Sequence, residues 1–168
     1  MARTYAGFHF VKTKDGGPVS LMHVKATAGT YYEGNVVRVN AFGYAAKYAQ
    51  GTGASSSVFG VVAADAAVAA GSGDKLTVIP LDDNNIFEAR MAPASTPSAK
   101  VLGRVQLNIS GNDFKIGGTL YKGENTATLR VVAVHPDDAD KTSTANLRYW
   151  VMGLTKFNQL DGAGLATQ

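Results

Sequence analysis

Apolar residues in this chain recur with a period of two, and that pattern limits the fold more than any other feature. Met22, Val24 and Ala26 alternate with His23 and Lys25, and Val37, Val39 and Ala41 with Arg38 and Asn40. Phe87, Ala89 and Met91 alternate with Glu88 and Arg90, and Leu147, Tyr149 and Val151 with Arg148, Trp150 and Met152. Successive side chains of a strand point to opposite faces, so each run presents one apolar row and one wetter row. Between the runs stand Gly34, Gly43, Gly73 and the pair Gly117 and Gly118, residues that let the backbone reverse. Short strands at close spacing predict an all-β, single-domain antiparallel sandwich or barrel with an extended N-terminal arm and long loops.

Residues 58–91 carry the densest signal. Residues 75–81 and 86–91 are β-prone and flank Asp82, Asp83, Asn84 and Asn85, whose short side chains bond to nearby backbone; this predicts a hairpin. A second hairpin is expected across Gly43, joining residues 37–41 to 44–48. Residues 101–110 alternate cleanly, with Val101, Val105, Leu107 and Ile109 expected to face the core. Residues 63–70 are alanine-rich and compatible with helix or turn, and are read as irregular. Residues 135–144 read as a charged loop. In residues 145–154 both faces carry apolar bulk, which suggests that a partner covers one of them.

The 168 residues suit one domain able to bury a sizeable core without staples. It divides into an arm over residues 1–18, a β-rich domain over 19–160 and a small Gly/Ala-rich tail over 161–168. In the arm, Tyr5, Phe8 and Phe10 are aromatic but show little strand pattern. They are candidates to dock on a neighbouring subunit, the alternative being that Phe8 and Phe10 pack on their own domain. Removing residues 1–14 is therefore expected to weaken docking more than folding. The N-terminus does not read as a secretory signal, so the chain is expected to stay where it is made. The longest nearly apolar segment, residues 58–70, is interrupted by Asp65 and falls short of the roughly 20 residues a membrane span needs.

Several chemistries find no support. Cysteine is absent, which removes disulfide scaffolds, thiolate zinc sites and thiol nucleophiles. His9, His23 and His135 stand in separate elements with no motif around them, and no pair has zinc-ligand spacing. The acidic groups Asp82-Asp83 and Asp137-Asp138-Asp140 read as solvated turns, since the second lacks the glycine and terminal glutamate of a calcium loop. Gly51-Thr52-Gly53 and Gly71-Ser72-Gly73 lack the remaining residues of any phosphate cradle, and Ser72 with Lys75 lacks the partner motifs of its enzyme class. A net charge of +3 without consecutive basic residues argues against a nucleic-acid groove. The expectation is a non-enzyme with no catalytic residue, no cofactor and no metal. Tyr31, Tyr32, Tyr44, Tyr48 and Trp150 suit a core or a subunit interface, or alternatively a stacking platform of a carbohydrate-binding or adhesin-type sandwich.

The order of features resembles that of the capsid cement, or head-decoration, proteins of tailed bacteriophages. The residues that carry the resemblance are Gly7-Phe8 and Gly16-Gly17-Pro18, Gly34 with Val37, Phe59-Gly60-Val61, and Asp74 through Pro80 with Ile86-Phe87-Glu88. The run at 129–134 and the segment at 145–160, ending Asn158-Gln159-Leu160, complete it. The resemblance covers nearly the whole chain through glycines and alternating apolar positions, and transfers no functional residue. It implies a β-rich virion protein, made in the bacterial host cytoplasm, that sits on the outer surface of an icosahedral head and bridges major capsid proteins. It also implies a homo-oligomer, a trimer favoured over a dimer because capsid lattices offer three-fold positions. Interface candidates on this reading are Tyr5, Phe8, Phe10, Tyr31, Tyr32 and Trp150, with a tail or neck component as the variant of the alternative.

Overall fold

The computed structural model describes residues 7–48, 58–63, 68–97, 101–111, 113–119, 129–142 and 144–154. Tyr5, the loop at 50–57 and the tail at 161–168 lie outside the described residues. The chain is all-β, as the periodicity requires, and among the described residues no helix is long and apolar enough to cross a membrane.

Among the described residues fourteen strands form two five-stranded sheets and two ribbons. The first sheet contains β1 (His9–Thr13), β9 (Asn85–Arg90), β14 (Arg148–Gly153), β13 (Leu129–Val134) and β10 (Arg104–Val105), in that order. The second runs β2 (Met22–Lys25), β8 (Lys75–Pro80), β6 (Gly60–Val62), β4 (Val36–Val39) and β5 (Ala45–Lys47). The ribbons are β3 (Gly29–Tyr31) with β7 (Val68–Ala70), and β11 (Leu107–Ser110) with β12 (Asp113–Ile116). Among the described residues the pairings between these strands are antiparallel, and two isolated bridges, Ala26 with Ala45 and Met91 with Ile116, are parallel.

Two cores result. In the first, Phe87, Ala89, Val131, Tyr149 and Val151 of the first sheet pack against Val36, Val61 and Ile79 of the second, with Leu107, Phe114 and Ile116 added by a ribbon. The second core lies on the other face of the second sheet. There Val37, Val62, Leu76 and Val78 meet Ala26, Ala45 and Phe59, with Tyr31 and Ala70 supplied by the β3–β7 ribbon. The second sheet is thus buried on both faces, which explains why β4 and β6 hold consecutive valines where a half-exposed strand would alternate.

Four expectations need correction. Residues 75–81 and 86–91 do not form a hairpin. β8 pairs with β2 and β6, whereas β9 pairs with β1 and β14, so residues 82–84 turn a corner between the sheets. Asp82 Oδ1 accepts from the amides of Asn84 (3.0 Å) and Asn85 (2.9 Å), and the amide of Gly153 donates to the Asp82 carbonyl at 2.8 Å. A Cβ on Gly153 would lie 2.2 Å from the Leu81 carbonyl oxygen, so only glycine lets β14 close on this corner. The hairpin across Gly43 does form, from β4 and β5, with Asn40 Oδ1 accepting from the Phe42 and Tyr44 amides at 3.0 Å each.

The N-terminal segment is not laid outside the domain from residue 8 onward. Phe8 is buried in the first core, and β1 is an edge strand whose bulge between Phe10 and Lys12 masks its alternation. Removal of residues 1–14 would therefore take out a strand and a core aromatic. Residues 68–70, expected to be irregular, form β7, a strand sequence reading misses because alanine has no β preference. The run at 101–110 splits: Val105 pairs with Leu129 in the first sheet, Leu107 belongs to a ribbon, and Val101 is exposed.

Candidate interaction surface

The first sheet covers the core with one face and presents the other outward. Cross-strand register sets the outward row: Trp150 stands opposite Glu88 and Ala133, Arg148 opposite Arg90, and Met152 opposite Arg130. Tyr149 and Val151, one position away on β14, are fully buried. Lys12 reaches this face from β1 and holds its Nζ 5.2 Å from the centre of the Trp150 ring, within cation–π range. His135 meets the same indole edge-on, with ring centres 6.4 Å apart and planes at 87°.

His135 is oriented from both sides. Its Nδ1 accepts the Asp137 amide at 3.2 Å, which leaves the proton on Nε2, 3.3 Å from Glu88 Oε2. Residues 136–138 form a single 3₁₀ turn started by Pro136, with the His135 side chain as its cap. That turn delivers Asp138 to a buried position, 1% exposed, where its carboxylate is saturated. Oδ2 accepts from the Arg148 amide (2.8 Å) and Nε (3.1 Å); Oδ1 accepts from Arg148 Nη2 (3.1 Å) and Lys141 Nζ (2.7 Å). Arg148 Nη2 also donates to Asp137 Oδ2 at 3.2 Å. The bonds from Arg148 hold the Asp138 carboxyl well below the usual carboxylate range against the opposing effect of burial, and Asp138 in turn raises Arg148. Asp138 is therefore no solvated turn residue: the apparently charged loop is pinned to β14.

The residues singled out from sequence scatter. Phe8 and Tyr31 are 1% exposed and belong to the first and second cores, out of a partner's reach. Phe10 packs edge-on against Phe87, centres 6.0 Å apart, on the core side of β1. The Tyr31 hydroxyl bonds within its own core, 2.9 Å from the Thr27 carbonyl and 2.8 Å from Thr27 Oγ1. Tyr32 is half-buried with Lys47 Nζ 6.0 Å from its ring, and Tyr48 packs against the first core. Tyr31, Tyr48 and Trp150 thus serve three different surfaces and assemble no common stacking platform. Of the interface candidates among the described residues, Trp150 stands on the outward face of the first sheet and Tyr32 is half-buried beside Lys47. Lys12, Glu88, His135 and Arg148 were missed as neighbours of Trp150 because register, not spacing, brings them together.

His135 does meet a carboxylate, but on an open sheet face. The cavity of about 700 Å³ beside β11 and β12 is lined by Ala92, Pro93, Gln106, Leu107, Asn108 and Gly118 among others, with no ionisable side chain. Among the described residues no group of three His, Asp or Glu is placed to hold a metal. Compared with models of protein families and with curated proteins, the chain matches none.

Proposed function

We propose that this chain is a structural protein of a tailed-bacteriophage virion, without enzymatic activity, that binds the outer surface of the head and ties neighbouring major capsid proteins together. The resemblance set out above motivates this reading, and one structural observation supports it: the outward face of the first sheet is a rigid, cross-linked surface. Trp150 is wedged between Lys12 and His135, His135 is tied to Glu88, and Arg148 is locked to Asp138. Side chains already held in place lose little freedom on contact, which suits a surface that binds rather than transforms. A homo-oligomer, trimer favoured over dimer, would repeat the face around a symmetry axis, so that modest contacts add through multivalency. The direct test is quantitative mass spectrometry of purified particles. A copy number comparable with that of the major capsid protein is expected, and a few copies per particle would assign the chain to a tail or neck instead.

A further inference from the structure

The second sheet runs past its cover at the β2 edge. Along one face of β8, Ile79 sits in the first core, Thr77 is half-buried and Lys75 is exposed. Across the ladder His23 stands opposite Thr77, its Nδ1 3.0 Å from Thr77 Oγ1, and Lys25 stands opposite Lys75. The Ala26 amide donates to the Asp74 carbonyl at 2.8 Å, which makes Val24 with Leu76 a hydrogen-bonded pair and Lys25 with Lys75 a pair of the other kind. Pairs of that kind bring their Cα atoms to about 4.5 Å, the closer of the two spacings in an antiparallel ladder. Like charges so placed repel, and among the described residues neither ammonium has a carboxylate partner.

The backbone of the same strand is open. The alternation that aims the backbone groups of Met22 and Val24 at β8 aims the amides of His23 and Lys25, and the His23 carbonyl, away from it. β2 ends its sheet. Its last residue is followed by a bridge from Ala26 to Ala45, with the Thr27 amide donating to the Ala45 carbonyl at 2.8 Å. Among the described residues no strand lies beside residues 22–25 on that side. On the face opposite the lysines, Met22 and Val24 pack against the second core but are only half-buried, because the sheet stops there.

We infer that the β2 edge takes up an extended segment of a protein partner, paired to His23 and Lys25, in which carboxylates alternate with apolar side chains. Both halves of that pattern are set by this chain. Side chains on the lysine face of the added strand meet Lys25 and Lys75 and must be acidic. Those on the other face continue the row of Met22 and Val24 over the second core and must be apolar. A second copy of β2 is disfavoured, because it would bring another lysine to a pair that already repels. A phosphate backbone answers the lysines but supplies neither strand hydrogen bonds nor an apolar row. The inference goes beyond the virion reading and does not depend on it, since it follows from the charge and open backbone of this edge alone.

The full chain is titrated with a short fluorescent peptide alternating glutamate and valine, with a lysine–valine counterpart and with oligothymidylate. The glutamate–valine peptide is expected to bind best, with affinity falling as salt rises and with slowed amide exchange at His23 and Lys25. A strand added at an edge uses the amides of alternate residues, so N-methylation of one alternate set should abolish binding while methylation of the other set should not. Lys25→Gln should weaken the peptide severalfold. Replacing both lysines, Lys25→Glu with Lys75→Glu, keeps a like-charge pair and hence the melting temperature, but should reverse the preference toward the lysine–valine peptide. Absent binding by the wild type, or binding indifferent to both methylated peptides, overturns the proposal. So does a preference unchanged by the double substitution, or oligothymidylate binding as tightly as the glutamate–valine peptide.

Discussion

The two five-stranded sheets are built from similar residues yet live in different surroundings. The second is sealed on both faces, by the first sheet on one side and by the β3–β7 ribbon with its flanking loops on the other. The first is sealed on one face only, and its outer face carries Trp150, Glu88, Arg148, Arg90 and Arg130. Apolar bulk on both faces of a strand therefore has two meanings here. In β6 the consecutive valines Val61 and Val62 point into two cores of the same chain. In β14, Trp150 and Met152 face outward and are held by charged neighbours. An apolar face calls for a partner only after the chain's own layers have been counted.

Val62→Asp gives the sharpest break of this comparison. Val62 is 1% exposed, so an aspartate there buries an unpaired charge and should unfold the isolated chain, a loss of more than about 4 kcal/mol by denaturant titration. If that face were covered only by a partner, the isolated variant would stay folded. Next in size is a contrast within the first sheet. Phe87→Ala empties a fully buried site and should cost about 4 kcal/mol, whereas Trp150→Ala, one row over on the outer face, should cost only about 1 to 2 kcal/mol. Equal losses would mean that the outer face is as much a core as the inner one.

The smaller effect concerns the pin that fixes the loop to β14. Asp138→Asn removes the charge shared by Arg148 and Lys141 and should cost about 2 kcal/mol near neutral pH. Folding depresses the Asp138 carboxyl below its ordinary value of 3.8, so its contribution is complete above that pH. It is lost as pH falls through the depressed folded value. Melting curves of the wild type and the variant should accordingly converge on acidification, and a constant gap from neutral to strongly acidic pH would show that the ion cluster is not its cause.

Much of this was legible in the sequence, and the failures share a cause. Alternation in β9 and β14 foretold which side chains are buried, and Gly43 foretold the β4–β5 hairpin. The same logic read residues 75–91 as a hairpin, because the turn chemistry of Asp82 is satisfied equally by a hairpin and by a corner between sheets. Phe8 and Tyr31 looked available to a partner because aromatic bulk in a short irregular segment says nothing about its depth. The facing of Lys25 and Lys75 left no trace at all: the two are far apart in the chain and only the β2–β8 register brings them together.

Local chemistry in the sequence determined most of the strands, several of the places where the backbone reverses, and the alternating rows of β9 and β14. Only the tertiary structure decided which strands are neighbours, and with them the second core, the Arg148–Asp138 lock and the juxtaposition of Lys25 with Lys75. The physical reason is that side-chain periodicity is a property of one strand, while pairing and layering depend on contacts between segments far apart in the chain.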